Sequence, residues 1–355
     1  MSEDISSVRR VPAARLQAFI ERACRKVGIP AEDAVAIGEL MTRADVNGSD
    51  GHGIFRLPQY IRRIEGGAVN VRPNIRIVAE APAMALVDGD NGMGHLVMRF
   101  AAETAIRKAK SAGVAWVGVH WSNHAGPAAL YASMPLAHDM IGIYLAVGNA
   151  NHLPAWGGLD MLLSTNPVAV AIPALHENPV VLDMATTVAA YGKVKTKAQR
   201  GETMPEGWMI DRKGQPLTDP NRADEGFLLP IGGYKGYGLA LVFGLLAGTL
   251  NGAAMGRDVV DFNKDDTTPT NTGHAIVAID VKVFGDLTDF KRRVDVLIRD
   301  LRASERLPGV DAIRIPGEGS QRAREERARS GVPVPPALRT ALDTLASKLR
   351  IEPLG

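Results

Sequence analysis

Three amphipathic stretches open the chain. Across residues 12–27 the apolar positions Leu16, Phe19, Ile20, Cys24 and Val27 recur at three- and four-residue intervals, which places them on one face of a helix. Residues 30–44 repeat the pattern with Val35, Ile37, Leu40 and Met41, and residues 58–65 start on a proline suited to a first helical turn. A helical lobe is the expectation. From Ile75 the spacing changes to short apolar runs at 85–87, 114–119, 141–147, 168–172 and 180–182, bounded by Gly, Asn, Pro and Asp. These read as buried strands, and a helix at 96–112 among them predicts an α/β lobe around a largely covered sheet. A further strand is expected at 275–281, an amphipathic helix at 288–302 and a last helix at 337–349. The Pro333–Pro336 segment, which no helix interior tolerates, precedes the last of these.

Two segments invite a second reading. Residues 236–256 carry no Asp, Glu, Lys or Arg and are long enough for a bilayer helix. Six glycines and Asn251 make the segment weakly apolar, however, and no Lys/Arg asymmetry flanks it, so a buried helix is expected instead. Residues 322–329, rich in Arg and Glu, read as a solvated helix face rather than a binding patch.

Composition narrows the function. The 355 residues are 46% hydrophobic and 23% charged, enough apolar material for a large core and more than one lobe. Lys and Arg number 41 against 39 Asp and Glu, so no basic field exists to neutralise a run of phosphates, and nucleic acid is not an expected partner. The single cysteine, Cys24, excludes an intrachain disulfide and falls on the apolar helix face as a core thiol. Glu3 and Asp4 come early and no apolar run follows as in a secretory leader, so a cytoplasmic protein is expected.

The sequence contains neither G-x-G-x-x-G nor a P-loop, and neither G-x-S-x-G nor H-E-x-x-H, and its eight histidines show no metal-ligand spacing. What remains are polar residues in apolar, glycine-rich surroundings. In Asp50-Gly51-His52-Gly53-Ile54-Phe55-Arg56, a side chain that titrates near neutrality is followed by a forked permanent cation suited to a carboxylate. Reduction of a 2-oxo acid needs a hydride source, a proton donor and a carboxylate clamp, and His52 and Arg56 offer the last two. On pattern alone the segment reads equally as a structural turn. Ser122-Asn123-His124-Ala125-Gly126 follows a strand, where ligands meet α/β sheets, and is otherwise a plain turn. Asp183-Met184-Ala185 ends an apolar run, so Asp183 is either a partly buried carboxylate or a helix cap. Gly232-Gly233-Tyr234-Lys235 places backbone and one cation at a helix start, which suits an anionic cofactor or a structural turn with a solvated lysine.

Together and in order, DGHGIFRLPQY, SNHAG, PAWGG, STNPVAVAIP, VLDMATT, YGKV, PEGW, GGYKGYGLAL and IPGE resemble the type-2 malate/L-lactate dehydrogenase family, which also holds reductases of cyclic imino acids. The resemblance implies a non-Rossmann α/β fold with a central mixed sheet and a helical lobe built from both chain ends. It implies residues 1–73 as the N-terminal part of a substrate lobe, 74–287 as the NAD(P)-binding domain and 288–355 as the C-terminal helical part. The implied activity is reversible hydride transfer between NAD or NADP and a small 2-hydroxy or 2-oxo acid, with reduction of a cyclic imino acid as the alternative. A non-catalytic small-molecule binder is the alternative of another class.

By the same resemblance His52 is the acid/base, Arg56 the carboxylate ligand, and Asp183 a group coupled to His52. Asn149, Met184, Ala185 and Lys235, with Asp183, are cofactor contacts. His124, Thr165 and Asn166 match family motifs near the cofactor. A homodimer and a small carboxylate substrate are expected, with no metal. One departure is Gly51, where relatives carry serine; the missing hydroxyl implies a bulkier substrate or another polar partner, for which Asn151 and His152 are the candidates.

Overall fold

A computed structural model of the chain describes residues 9–199 and 201–355; the first eight residues, with Glu3 and Asp4, and Arg200 lie outside the described residues. In chain order the strands are β1 (Arg9–Val11), β2 (Arg76–Ala81), β3 (Met84–Asp88), β4 (Val114–Ser122), β5 (Met140–Ala146), β6 (Asn151–Pro154), β7 (Met161–Ser164), β8 (Val168–Ile172), β9 (Val180–Met184), β10 (Met209–Asp211), β11 (Gly226–Leu228), β12 (Thr272–Asp280) and β13 (Val332–Val334). The helices are α1 (Ala13–Lys26), α2 (Ala31–Val46), α3 (Leu57–Glu65), α4 (Gly94–Ala112), α5 (Ala129–Ala132), α6 (Tyr191–Gln199), α7 (Tyr234–Ala247), α8 (Leu287–Ala303), α9 (Glu318–Ser330) and α10 (Pro336–Leu349).

Seven strands form the central sheet in the order β2-β3-β4-β12-β5-β8-β9. Only the β3–β4 pair is parallel, joined through α4, so the sheet is mixed. Side-chain alternation splits it into two faces. Ala115, Val117 and Val119 of β4, Tyr144 and Ala146 of β5, and Ile276 and Ala278 of β12 pack under the small residues Ala101, Ala102, Ala105 and Ala109 of α4. Trp116, Leu145 and Ala275 point the other way, to Phe243 and Ala247 of α7.

The helical lobe takes its core from both ends of the chain: Leu16, Phe19, Ile20 and Cys24 of α1 and Leu57 and Ile61 of α3 pack with Leu342, Leu345 and Ala346 of α10. Strand β1 pairs antiparallel with β13, Arg9 opposite Val334. The sequence pattern does not show this pairing, because three-residue strands carry too little periodicity.

Two expectations are corrected. The helix expected over 236–256 ends at Ala247 and gives way to turns, and no helix among the described residues is long and apolar enough to cross a membrane. Nor is α7 buried all round. It buries Gly236, Ala240, Gly244 and Ala247 and leaves Leu239, Val242 and Leu245 exposed. A Cβ on Gly244 would collide with Met255 and with the Asn166 amide, so the small residues are what let the helix lie this close. The second correction concerns α9. Its Arg327 donates to the Asp50 carboxylate and to the Asp45 carbonyl, and Arg324 Nε donates to Asn47 Oδ1 at 2.9 Å. This helix face holds the segment leading to His52 rather than facing only solvent.

Candidate active site

The turn that follows α2 presents His52. Its N–H donates to Ser49 O at 2.8 Å, and the next turn is held by Asp45, whose Oδ2 accepts the Ile54 N–H at 2.8 Å. Asp45 is 2% exposed, and burial pushes its carboxyl up to about 8. A Cβ on Gly53 would overlap all three atoms of that carboxyl group, so glycine is required by close approach at this position.

Arg56 folds back across the turn. Its Nε donates to Gly51 O at 3.0 Å and its Nη1 to Gln59 Oε1 at 2.8 Å, with a longer contact to Asn263 Oδ1 at 3.4 Å. Every acceptor is neutral and Nη2 has none among the described residues, so the guanidinium keeps a free edge. His52 bonds through neither ring nitrogen among the described residues. Burial, reinforced by the positive Arg56, lowers its pKa to about 4, so the free protein holds a neutral imidazole beside a permanent cation.

His124 stacks on His52 with ring centroids 5.7 Å apart at 11°, and on Phe262 at 5.0 Å. Its Nδ1 accepts the Gly126 N–H at 3.3 Å and pairs with Tyr60 Oη at 2.6 Å. Since an N–H only donates, Nδ1 is the acceptor and Nε2 carries the hydrogen. His95 lies behind them, edge-on to Tyr60, fully buried, with neither ring nitrogen hydrogen-bonded among the described residues.

A cavity of about 2050 Å³ joins these residues to the C-terminal end of β9; His52, Arg56, His124, Asn149, Thr165, Asp183, Met184 and Ala185 all line it. Asp183 Oδ2 accepts the Ala129 N–H at 2.9 Å, and burial raises its pKa. It makes no direct hydrogen bond to His52. The Asn149 side-chain amide donates to Thr272 Oγ1, and the Asn149 backbone carbonyl accepts the Phe262 N–H at 3.0 Å.

Asn166 and Lys235 do not line the cavity. Asn166 is fully buried, taking the Gly148 N–H on Oδ1 at 3.1 Å and donating to Ala240 O at 2.7 Å, which ties α7 to the sheet. Lys235 is exposed in the first turn of α7. Of the two candidates to replace the missing serine hydroxyl, Asn151 is turned away and donates to Gly256 O at 2.7 Å, while His152 faces the cavity stacked on Tyr191 at 4.0 Å. The position itself is open, because a Cβ on Gly51 would meet nothing within 4 Å.

Sequence reasoning missed two cavity residues. Lys195 Nζ donates to Asn263 Oδ1 at 3.0 Å and lies 5.4 Å over the Tyr191 ring. Its only sequence signal is the four-residue spacing from Tyr191, which puts both on one helical face. Asn263, in an acidic loop, has none.

Solved structures that resemble this chain over its whole length include named dehydrogenases and a reductase. Malate dehydrogenase from Pyrococcus horikoshii superposes with a TM-score of 0.89 at 34% identity, covering 98% of this chain and 97% of that one. Its curated sequence is 36% identical over 353 residues, 97% of each chain, and L-sulfolactate dehydrogenase of Methanocaldococcus jannaschii is 39% identical over 303 residues, 85% of this chain and 87% of the relative. The sequence profile of the malate/L-lactate dehydrogenases matches residues 11–343, and the chain belongs to that family.

Proposed function

We propose that the protein catalyses reversible hydride transfer between a nicotinamide dinucleotide, NAD or NADP, and the carbon bearing the hydroxyl or oxo group of a small carboxylate. The supporting observation is the neutral imidazole of His52 beside the free edge of Arg56, on the wall of a cavity that continues to β9. About 2050 Å³ is well above the roughly 300–1,000 Å³ that one small ligand fills, leaving room for dinucleotide and substrate together. The acidic Asp183, whose Oδ1 is unbonded among the described residues, suits a ribose hydroxyl, with Met184, Ala185, Asn149 and Thr165 alongside.

When bound, the nicotinamide ring takes up or gives the hydride. Arg56 holds the substrate carboxylate through its free N–H groups and fixes the reacting carbon. In the oxidation direction, neutral His52 accepts the hydroxyl proton as the carbon loses hydride. In reduction, His52 returns that proton to the developing alkoxide. A carboxylate on Arg56 offsets the charge that depresses His52, so the imidazole becomes a better proton acceptor once substrate is bound. The donor Nε2–H of His124, fixed by its tautomer, is available to a substrate or cofactor oxygen.

Absorbance at the reduced nicotinamide band, with 2-hydroxy, 2-oxo and cyclic imino acids and both cofactors, tests the proposal. Turnover is expected, and His52→Ala lowers kcat/KM by about 10²–10⁴. Near-normal turnover of that variant on a verified substrate overturns the proton-transfer role. We also assign a cytoplasmic homodimer, supported by the family resemblance and by the exposed Leu239, Val242 and Leu245 of α7. A monomeric mass by light scattering refutes the assembly.

A further inference from the structure

We propose that Arg327 is a positioning residue for the proton transfer: by holding Asp50 and the Asp45 carbonyl it sets the turn that aims His52, from outside the cavity. The inference rests on the hydride-transfer reading and gives that reaction a residue remote from the reacting atoms.

The requirement starts at the imidazole. A catalytic base is ordinarily aimed by a third group bonded to its ring. Among the described residues no group hydrogen-bonds the His52 ring: Asp183 bonds the Ala129 N–H, and His124 stacks on the ring at 5.7 Å. The aim of the imidazole therefore depends on the backbone beneath it. That backbone is bracketed. Two residues after His52, the Ile54 N–H donates to Asp45 Oδ2 at 2.8 Å. Two residues before it, Asp50 accepts from both ends of the Arg327 guanidinium, Oδ1 from Nη1 and Oδ2 from Nη2 at 3.1 Å. The same Nη1 donates to the Asp45 carbonyl. One planar fork thus ties the last turn of α2 to the segment entering His52, which a point charge cannot do.

Helix α9 gives the chain little besides this. None of its side chains is buried, so it adds little to either core. It presents Arg324 and Arg327, three residues apart on one face. Arg324 Nε donates to Asn47 Oδ1 at 2.9 Å, and the Arg327 side chain is only 11% exposed. The neighbouring carboxylate, Glu326, is taken by Arg10 at 2.5 Å and by Ser330 at 2.7 Å. The entry to the helix is fixed on β9, where the Val181 N–H donates to Pro316 O at 3.0 Å, and Glu318 Oε1 accepts from Arg302 Nη2 at 2.6 Å. Asp45, Asp50 and Arg324 line the cavity and Arg327 does not, so its effect on the reaction passes through the turn.

The test uses Arg327→Ala in the full chain. In the oxidation direction kcat is expected to fall about tenfold to a hundredfold, the scale of a small misplacement of a reacting group. KM for substrate and dinucleotide and the urea midpoint should stay where they are. Guanidinium chloride at non-denaturing concentration should restore part of kcat, and equal sodium chloride should not. Asp50→Ala reaches the same pair from its exposed side, and the loss in the double variant should be smaller than the product of the two single losses. Unchanged kcat, a loss carried by KM or by unfolding, a loss that guanidinium does not relieve, or multiplying losses in the double variant each overturn the assignment. If no hydroxy, oxo or imino acid supports turnover by the wild type, the hydride-transfer reading is at fault and the brace is judged on the ring itself. The Cε1–H resonance of His52, identified by its loss in His52→Ala, should then move in Arg327→Ala and return with guanidinium. An unmoved resonance overturns the brace.

Discussion

Replacing Gly53 with alanine adds one methyl group next to His52. The new Cβ would overlap the Asp45 carboxyl, which is 2% exposed and accepts the Ile54 N–H at 2.8 Å. The carboxyl must move, leaving a buried N–H without its acceptor at about 1–3 kcal/mol, and crowding of the packed turn adds about 1–3 kcal/mol. The expected loss is about 2–6 kcal/mol, large against the roughly 5–15 kcal/mol that holds a domain folded. Chemical denaturation reads this directly. Because the displaced turn carries His52, kcat/KM should fall more than tenfold even in the folded fraction.

The decisive assay is a double-mutant cycle with Asp45→Ala. Removing the carboxyl clears the space the methyl needs, so Gly53→Ala made on that background should cost at least about 1 kcal/mol less than on the wild type. Additivity within about 0.5 kcal/mol, or a single-variant loss under about 1 kcal/mol, refutes the claim that close approach selects glycine here.

Four further outcomes are expected. His95 and His274 are buried, with pKa values lowered by burial to about 3 and about 4. Below pH 6.5 the unfolded chain therefore binds protons that the folded one refuses. Stability that is full above pH 6.5 should be lost as pH falls toward 4, by up to about 1.4 kcal/mol per pH unit for each histidine; urea midpoints unchanged between pH 7 and 5 contradict this. In the oxidation direction, kcat/KM should hold constant from pH 8 to 6 and decline only near His52's lowered pKa of about 4, and an acid limb at 6.5 would show that burial and Arg56 do not act on the free enzyme. Gly51→Ser should fold with a stability change within about 0.5 kcal/mol, because its Cβ enters open space, while altering relative kcat/KM across substrates; a loss above about 2 kcal/mol means the space is not there. Cys24 is 2% exposed and burial raises its thiol to about 12, so a chromogenic disulfide reagent should label it only after denaturant is added, and prompt native labelling would show the site to be accessible.

The longer elements were legible because their periods are strong. Helices α1 and α4 and strands β4, β5, β8 and β12 lie within a few residues of their expected bounds, and Cys24 is in the core as its helical spacing implies. His52, Arg56 and the Asp183 strand end stood out as polar groups in glycine-rich or apolar context, and the structure places all three on one cavity. What the pattern could not carry was any contact depending on long-range closure. Lys195 looks like any helical lysine until Asn263 is brought to it from 68 residues away. Asn166 matches a family motif, yet its amide is spent on Gly148 and Ala240, because nothing local reveals which way a buried amide points. Helix α7 was overestimated in length since glycine and alanine count as apolar without being wide, and only the packed neighbour shows that narrowness is their use here.

Arg327 reaches back to Asp45 and Asp50 across more than 270 residues, and β13 closes on β1 across a similar span. A ribosome makes His52 long before Arg327. The turn carrying the imidazole thus waits for the guanidinium that braces it, and the strands of the central sheet are all made before that turn is secured. A nascent chain released short of α9 would keep the sheet's hydrophobic layers but lack this brace on the turn that carries His52.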